Sequence, residues 1–255
     1  MTRRRFYAPP QSFARDGARV ALSVEESRHL RDVLRLRAGE EVFVFDGDGR
    51  EFSCVVEDVG GRGALTLAVG ARVEALRPES PLSLTLAVAL LKGEKFDLVV
   101  QKATELGASL IAPVITRRAD VRLRDAGDAA RRAERWQRLA LEAAKQSGRA
   151  RVPSVATPIS FASLVTNEHS PPDEMRLMFS ERGGHGLKEI SVEHTSAARS
   201  VTALVGPEGG WDDEEIAHAR TSGWTVVTLG GRTLRAETAA ITVAALLQHI
   251  YGDLV

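Results

Sequence analysis

The chain has 255 residues, 44% of them hydrophobic and 27% charged, a composition that suits one large globular domain or two modest ones. Its 34 basic and 34 acidic residues cancel, which excludes a general polyanion-coating role and means that a nucleic-acid ligand would need a local basic face. The single cysteine, Cys54, excludes an internal disulfide and a cysteine-rich zinc site, and no apolar run approaches the roughly 18–20 residues that cross a bilayer.

The basic start Arg3-Arg4-Arg5 leads into Phe6-Tyr7-Ala8-Pro9-Pro10 and not into an apolar leader core, so the expectation is a cytoplasmic protein with no membrane and no metal. Residues 1–72 read as mostly β. Ser23 can cap a helix over Glu25–Leu36, with Glu26 at the capping-box position. Val42–Phe45, Glu51–Val59 and Ala64–Val69 are strand-like runs. The turn Asp46-Gly47-Asp48-Gly49 has the look of a calcium loop, but the third acidic position falls on Arg50, which makes it a hairpin turn. A small β-barrel with one helix fits. That helix carries Arg28, His29, Arg31 and Arg35, and Arg3, Arg4 and Arg5 lie at the same end of the chain. The group reads either as a solvated face or as a phosphate-binding surface.

Residues 73–81, with Arg77-Pro78-Glu79-Ser80-Pro81, read as a linker. From 82 to 255 strands and helices alternate, which implies a parallel sheet with helices packed outside. Leu82–Leu91 is a strand long enough to be buried on both faces, and Gly93–Leu106 is a helix stopped by Gly107. Ser109–Ile115 is strand-like, Ala129–Ser147 is a helix, Pro158–Val165 is a short helix, and Met175–Phe179 is a strand. Lys92, Lys95 and Lys102, with Arg117 and Arg118, form a second basic group that would grip RNA phosphates or face solvent.

Two apolar runs near the end, Val201–Val205 and Thr225–Leu229, open into Gly206-Pro207-Glu208-Gly209-Gly210 and Gly230-Gly231-Arg232-Thr233-Leu234-Arg235. Strand ends that open into glycine loops are where α/β sheets hold ligands, because backbone without a Cβ can approach the ligand. Neither GxGxxG nor a P-loop occurs, so a pyrophosphate cradle is not supported. Loop amides and carbonyls reading an adenine edge are the better fit. Arg235, Glu237 and Thr238 stand at the mouth of an otherwise apolar helix, where a polar ligand or network is expected.

Val205–Trp211 followed by Glu214, and Leu229-Gly230 through Leu234-Arg235-Ala236-Glu237-Thr238-Ala239, resemble the signature of the RsmE family of small-subunit ribosomal RNA uridine-N3 methyltransferases, within the SPOUT superfamily. Lys92–Lys95, Gln101–Gly107, Arg135-Trp136, Glu142–Arg149, Val152-Pro153, Arg5–Tyr7 and His29–Leu36 carry the resemblance across nearly the whole chain. Lys145 stands where the family often has a cysteine, and Trp211 where phenylalanine is common. The resemblance implies an α/β fold: a PUA-like β-barrel (1–72) before a SPOUT methyltransferase domain (82–255) whose last part forms a trefoil knot. It also implies S-adenosyl-L-methionine as cofactor, small-subunit ribosomal RNA as substrate, and a homodimer with active sites at the subunit interface.

On that reading the cofactor-binding candidates are Phe179, Ser180, Gly206, Pro207, Glu208, Gly209, Gly210, Leu229, Gly230, Leu234, Arg235, Thr238 and Ala239. The uridine imide must lose a proton, which assigns Arg235 to electrostatic stabilisation and Glu237 to the role of base or orienting carboxylate; Glu208 is a second carboxylate candidate. The RNA-binding candidates are Arg3, Arg4, Arg5, Arg28, Arg31, Arg35, Lys92, Lys95 and Lys102. A methyltransferase acting on another RNA position, a non-catalytic RNA-binding protein and a doubly wound nucleotide-dependent enzyme are the alternatives.

Overall fold

A computed structural model describes residues 3–61, 63–167, 171, 173–193 and 199–254. Their contacts separate two compact units, Met1–Glu79 with Ala144–Val152, and Ser80–Ala143 with Pro153–Val255. The division falls inside the proline-bearing stretch 73–81. The segment 144–152, expected in the second domain, goes with the first.

In the first unit five strands, β1 (Arg5–Tyr7), β2 (Arg19–Ala21), β3 (Glu41–Phe45), β4 (Glu51–Val56) and β5 (Thr66–Val73), form one sheet in the order β1-β3-β4-β5-β2. Among these described strands only β1 and β3 pair in parallel. Alternate positions send Phe6, Val20, Val42, Val44, Cys54, Val56 and Leu67 into one core with Leu22 and Leu30, the period-2 burial that a one-sided sheet needs. The turn after β3 is built by Asp46, whose Oδ1 accepts the N–H groups of Asp48 (2.8 Å) and Arg50 (3.0 Å). No group of residues able to hold a metal occurs among those described.

Ser23 caps the helix as expected, its Oγ accepting the Glu26 N–H at 3.1 Å. The reciprocal half of the capping box does not form: the Glu26 carboxylate takes the Lys145 ammonium at 2.7 Å. The helix is also shorter than the sequence pattern suggests. α1 (Val24–Arg28) passes into one π-helical turn, His29–Val33, and the chain leaves it through Arg35 at φ 54°. Residues 144–152 are held in this unit by a half-buried pair, Arg149 to Glu79 at 2.7 Å, and by the Arg149 carbonyl accepting from Arg5 at 2.9 Å.

Among the described residues of the second unit, eight strands pair in parallel throughout: β6 (Ser83–Ala89), β7 (Leu110–Ile115), β8 (Ser154–Val155), β9 (Ile159–Ser160), β10 (Met175–Phe179), β11 (His185–Gly186), β12 (Ser200–Val205) and β13 (Thr225–Thr228). Their order is β11-β13-β10-β12-β6-β7-β8, with β9 beside β7. Helices α2 (Lys95–Glu105), α3 (Ala126–Ser147), α4 (Phe161–Val165), α5 (Leu187–Glu193), α6 (Asp213–Thr221) and α7 (Ala236–Tyr251) connect them. Burial on both faces explains why the central strands read as continuous apolar runs and not as alternations: Leu84, Leu86, Ala87, Val88 and Ala89 of β6 are all buried. α2 ends at Gly107, in the left-handed region at φ 82°, where a Cβ would be strained. Beneath the loop after β12, Trp211 joins Phe161, Ile216, Trp224 and Met178 in one apolar cluster.

Candidate active site

Strands β13, β10 and β12 are neighbours and point the same way, so the loops at their carboxyl ends must converge. They enclose a cavity of about 360 Å³. Phe179, Ser180 and Glu181 come from the end of β10, Val205 to Trp211 from the loop after β12, and Thr228 to Leu234 with Ala236 and Ala239 from the loop and helix after β13. This is the carboxyl-end crevice in which open parallel sheets hold ligands.

The first loop is braced from below. Trp211 is buried and donates its indole N–H to the Phe179 carbonyl at 2.7 Å. A Cβ on Gly206 would stand 2.9 Å from that indole, so glycine is what lets strand and ring pack together. Past the loop, Asp212 caps α6 with a full capping box completed by Glu215, and Glu215 also accepts the Arg117 N–H at 3.0 Å. Arg182 donates to the Trp211 carbonyl at 2.9 Å and to Asp213 at 2.7 Å.

The second loop is open where the first is braced. Gly230 and Gly231 lie at φ 74° and 72°, and a Cβ on either would meet nothing within 4 Å. No peptide group from 229 to 234 forms a hydrogen bond with another described backbone group. A run of unpaired amides and carbonyls beside apolar Leu229, Leu234, Val205 and Phe179 offers a flat heterocycle both stacking area and edge contacts.

Of the cofactor-binding residues predicted from sequence, Phe179, Ser180, Gly206, Pro207, Glu208, Gly209, Gly210, Leu229, Gly230, Leu234 and Ala239 line this cavity. Arg235 and Thr238 do not; both are exposed, Arg235 as the N-cap residue of α7. The Arg235 side chain has no hydrogen-bond or ion-pair partner among the described residues. Glu181, Val205, Trp211, Thr228, Gly231, Arg232, Thr233 and Ala236 also line the cavity, beyond the ligand contacts the sequence predicts. Their signal in the sequence is position alone, at or near a strand end, inside one of the two loops, or at the start of α7.

Glu237 does not line the cavity. Its side chain is 12% exposed and lies 3.8 Å from the Lys95 ammonium, and its buried Oε2 accepts no hydrogen bond. Lys95 also binds Glu208 at 3.0 Å. Burial pushes the Glu208 carboxyl upward, but its own N–H, the Lys95 ammonium and the Lys92 N–H outweigh that and hold it below the ordinary carboxylate value.

The basic residues separate by their partners. Arg5 is a structural group, buried against Glu51 at 3.1 Å and stacked over Phe45. Arg3 bonds Glu51 and the Glu74 carbonyl, and Arg4 bonds Glu40. Arg31 spans Asp32 and the Gly61 carbonyl. Arg28 and Arg35 are exposed, with no side-chain partner among the described residues. Lys92 pairs with Asp120 at 2.8 Å and Lys102 with Glu105 at 2.8 Å.

Residues 78–248 match the RNA methyltransferase domain family, and residues 22–69 match the RNA methyltransferase PUA domain. Ribosomal RNA small subunit methyltransferase E from a Synechocystis strain is 33% identical over 91% of this chain and 74% of its own length. The chain belongs to the ribosomal RNA small subunit methyltransferase E family. The Bacillus subtilis member is 30% identical over 90% of this chain and 89% of its own. A Neisseria gonorrhoeae family member solved bound to S-adenosyl methionine superposes with a TM-score of 0.86, at 34% identity and full coverage of both chains. A Legionella pneumophila methyltransferase solved with the cofactor SAM gives 0.85 at 32% identity, again over both whole chains. The α/β class, the PUA-like first unit and the SPOUT-type parallel sheet expected from the sequence are those found.

Proposed function

We propose that this protein is an S-adenosylmethionine-dependent methyltransferase that methylates N3 of a uridine in small-subunit ribosomal RNA. The observation that carries the reading is the cavity at the ends of β10, β12 and β13, open between two glycine loops and filled by no side chain of the protein. The residues present fit the cofactor: unpaired peptide groups along 229–234 for an adenine edge, apolar walls for its faces, and glycine where a Cβ would crowd the ligand.

When bound, S-adenosylmethionine supplies a methyl group already activated on a sulfonium, so the chain's part is alignment of the nucleophile and management of the N3 proton. Arg235 is the stabilising group in this reading. Exposure and the lack of a protein partner support it, because a guanidinium already paired in the protein could not meet an imide anion. Glu237 serves the site through Lys95 and does not itself take the proton; its absence from the cavity lining and its proximity to Lys95 support that.

Arg28 and Arg35, with Arg31 beside them, are the residues we assign to RNA phosphates on the PUA-like unit. The π-helical turn and the left-handed Arg35 support this, since such irregularities cluster at functional sites. The trefoil knot belongs to the same reading. It is supported by the helix after β13, which packs on α2, β12 and β6 although β10 lies between β13 and β12. Homodimerisation is supported by exposed Leu98 on α2 and by Ile250 and Leu254 at the end of α7 and just beyond. A cytoplasmic site of action follows from the ribosomal substrate, and no described helix is long and apolar enough to cross a membrane.

The test has two parts. S-adenosylmethionine should bind the purified protein in a calorimetric titration, and mass spectrometry of ribosomal RNA from cells lacking the protein should show the loss of one methyluridine. No binding together with unchanged RNA would overturn the reading.

A further inference from the structure

We propose that Lys95 is a positioning residue: a strut between the two halves of the cofactor cavity that sets their separation. The proposal rests on the cofactor reading above. Lys95 begins α2 and belongs to neither glycine loop. Its ammonium binds Glu208 Oε1, inside the first loop, at 3.0 Å, and stands 3.8 Å from Glu237 Oε2, in the first turn of α7 directly after the second loop. The Lys92 N–H adds a longer contact to Glu208, at 3.4 Å, from the same end of α2.

Two carboxylates so near each other would repel unless a cation stood between them. Lys95 is that cation, and its two contacts are unequal. The Glu208 contact is a full charge-assisted hydrogen bond. The Glu237 contact is too long to be one, and it leaves Oε2 buried without a hydrogen-bond partner. A buried carboxylate oxygen without a hydrogen bond is unfavourable. The strut is therefore engaged at the first loop and slack at the second, and drawing α7 closer by less than an ångström would complete it. Closure of the cavity on a ligand is such a movement. Binding that shortens the Glu237–Lys95 contact makes the carboxylate part of the affinity for the cofactor, although neither Glu237 nor Lys95 lines the cavity.

The assignment also changes what the lysine does. Sequence spacing groups Lys95 with Lys92 and Lys102 as a phosphate-binding face, but an ammonium bound by one carboxylate and flanked by another has little charge left for a phosphate.

The experiment titrates S-adenosylmethionine calorimetrically into wild type, Lys95→Met, Lys95→Arg, Glu237→Gln and the Lys95→Met/Glu237→Gln double variant, with thermal melts of each. Lys95→Met should weaken binding by about tenfold and raise the KM for the cofactor, while kcat at saturating cofactor stays within about twofold. Lys95→Arg should recover most of the loss. The two neutralisations should be non-additive, because each removes the same contact. A purely structural lysine would lower the melting temperature without moving the cofactor affinity. Glu237→Gln keeps the side chain's shape and carries the test even if the lysine variants fold poorly. Affinities within twofold of wild type for both Lys95→Met and Glu237→Gln, or additive losses, would overturn the proposal. Failure of the wild type to bind would instead overturn the cofactor reading on which it rests.

Discussion

Replacing Gly206 with alanine adds one methyl group at the tightest point of the cavity's foundation. The new Cβ would stand 2.9 Å from Trp211 Cε2 and Nε1 and 3.3 Å from Cζ2, contacts that no relaxed structure keeps. Gly206 is not in the left-handed region, so its backbone suits alanine, and without the ring the change would stabilise by about 0.4–1 kcal/mol through the unfolded chain. The ring decides the sign. Trp211 is 1% exposed and cannot swing aside without forcing its neighbours, an overpacking cost of about 1–3 kcal/mol. Moving it also breaks the 2.7 Å bond to the Phe179 carbonyl, a buried acceptor whose desertion costs about 1–3 kcal/mol more. The net destabilisation is about 1–5.6 kcal/mol, which for a chain of this size lowers Tm by about 2–22 °C. Differential scanning calorimetry of Gly206→Ala reads this directly, and cofactor affinity should fall with it because the indole joins two of the three loops. The control is Trp211→Phe. If the clash is the cause, Gly206→Ala/Trp211→Phe is no less stable than Trp211→Phe alone. A Gly206→Ala protein melting within 2 °C of wild type with unchanged cofactor affinity would refute the reasoning.

Three further outcomes follow from the same geometry. Arg235→Ala removes an exposed, unpartnered side chain, so its stability should stay within about 0.5 kcal/mol of wild type while single-turnover methyl transfer is abolished; wild-type turnover would remove Arg235 from the mechanism. Glu208 has a folded pKa below the ordinary 4.5, so its contribution is complete above that value and is lost as pH falls through the lower, folded one. Melts of wild type and Glu208→Gln should therefore differ at neutral pH and converge as pH falls below the ordinary carboxylate range. If Arg28 and Arg35 each neutralise a phosphate, replacing both with alanine should flatten the dependence of log affinity on log salt by about 1.4–1.8 for structured ribosomal RNA. An unchanged slope in a filter-binding series would assign them to solvent.

The limits of sequence reading show at particular residues. Gly206, Gly209 and Gly210 were legible as ligand-loop glycines because a missing Cβ is a local property, and Ser23 was legible as a cap for the same reason. Glu26 was misassigned to a capping box. Nothing near it in sequence announces Lys145, 119 residues away, which takes its carboxylate at 2.7 Å. Glu237 reads as a base at a helix mouth, and nothing near it in sequence announces the Lys95 ammonium, from another helix, that stands 3.8 Å from its carboxylate. Arg5 looked like part of a phosphate-binding run, yet Glu51, which is fully buried, needs it as a counterion.

The sequence by itself determined the apolar runs that become β3, β4, β6, β7, β10, β12 and β13, and the glycines in the loops after the last two, because apolar runs and left-handed turns are dictated by neighbours along the chain. Only the tertiary structure decided that β10 lies between β12 and β13. That placement brings Phe179, Ser180 and Glu181 to the cavity as a third wall. Parallel strands are joined through crossovers, and the hydrogen bonds that set their order are the same whichever apolar strand sits alongside. Strand order therefore follows from how helices and side chains pack across the whole unit, and it was fixed there together with the pairing of Lys95 to Glu208, 113 residues away.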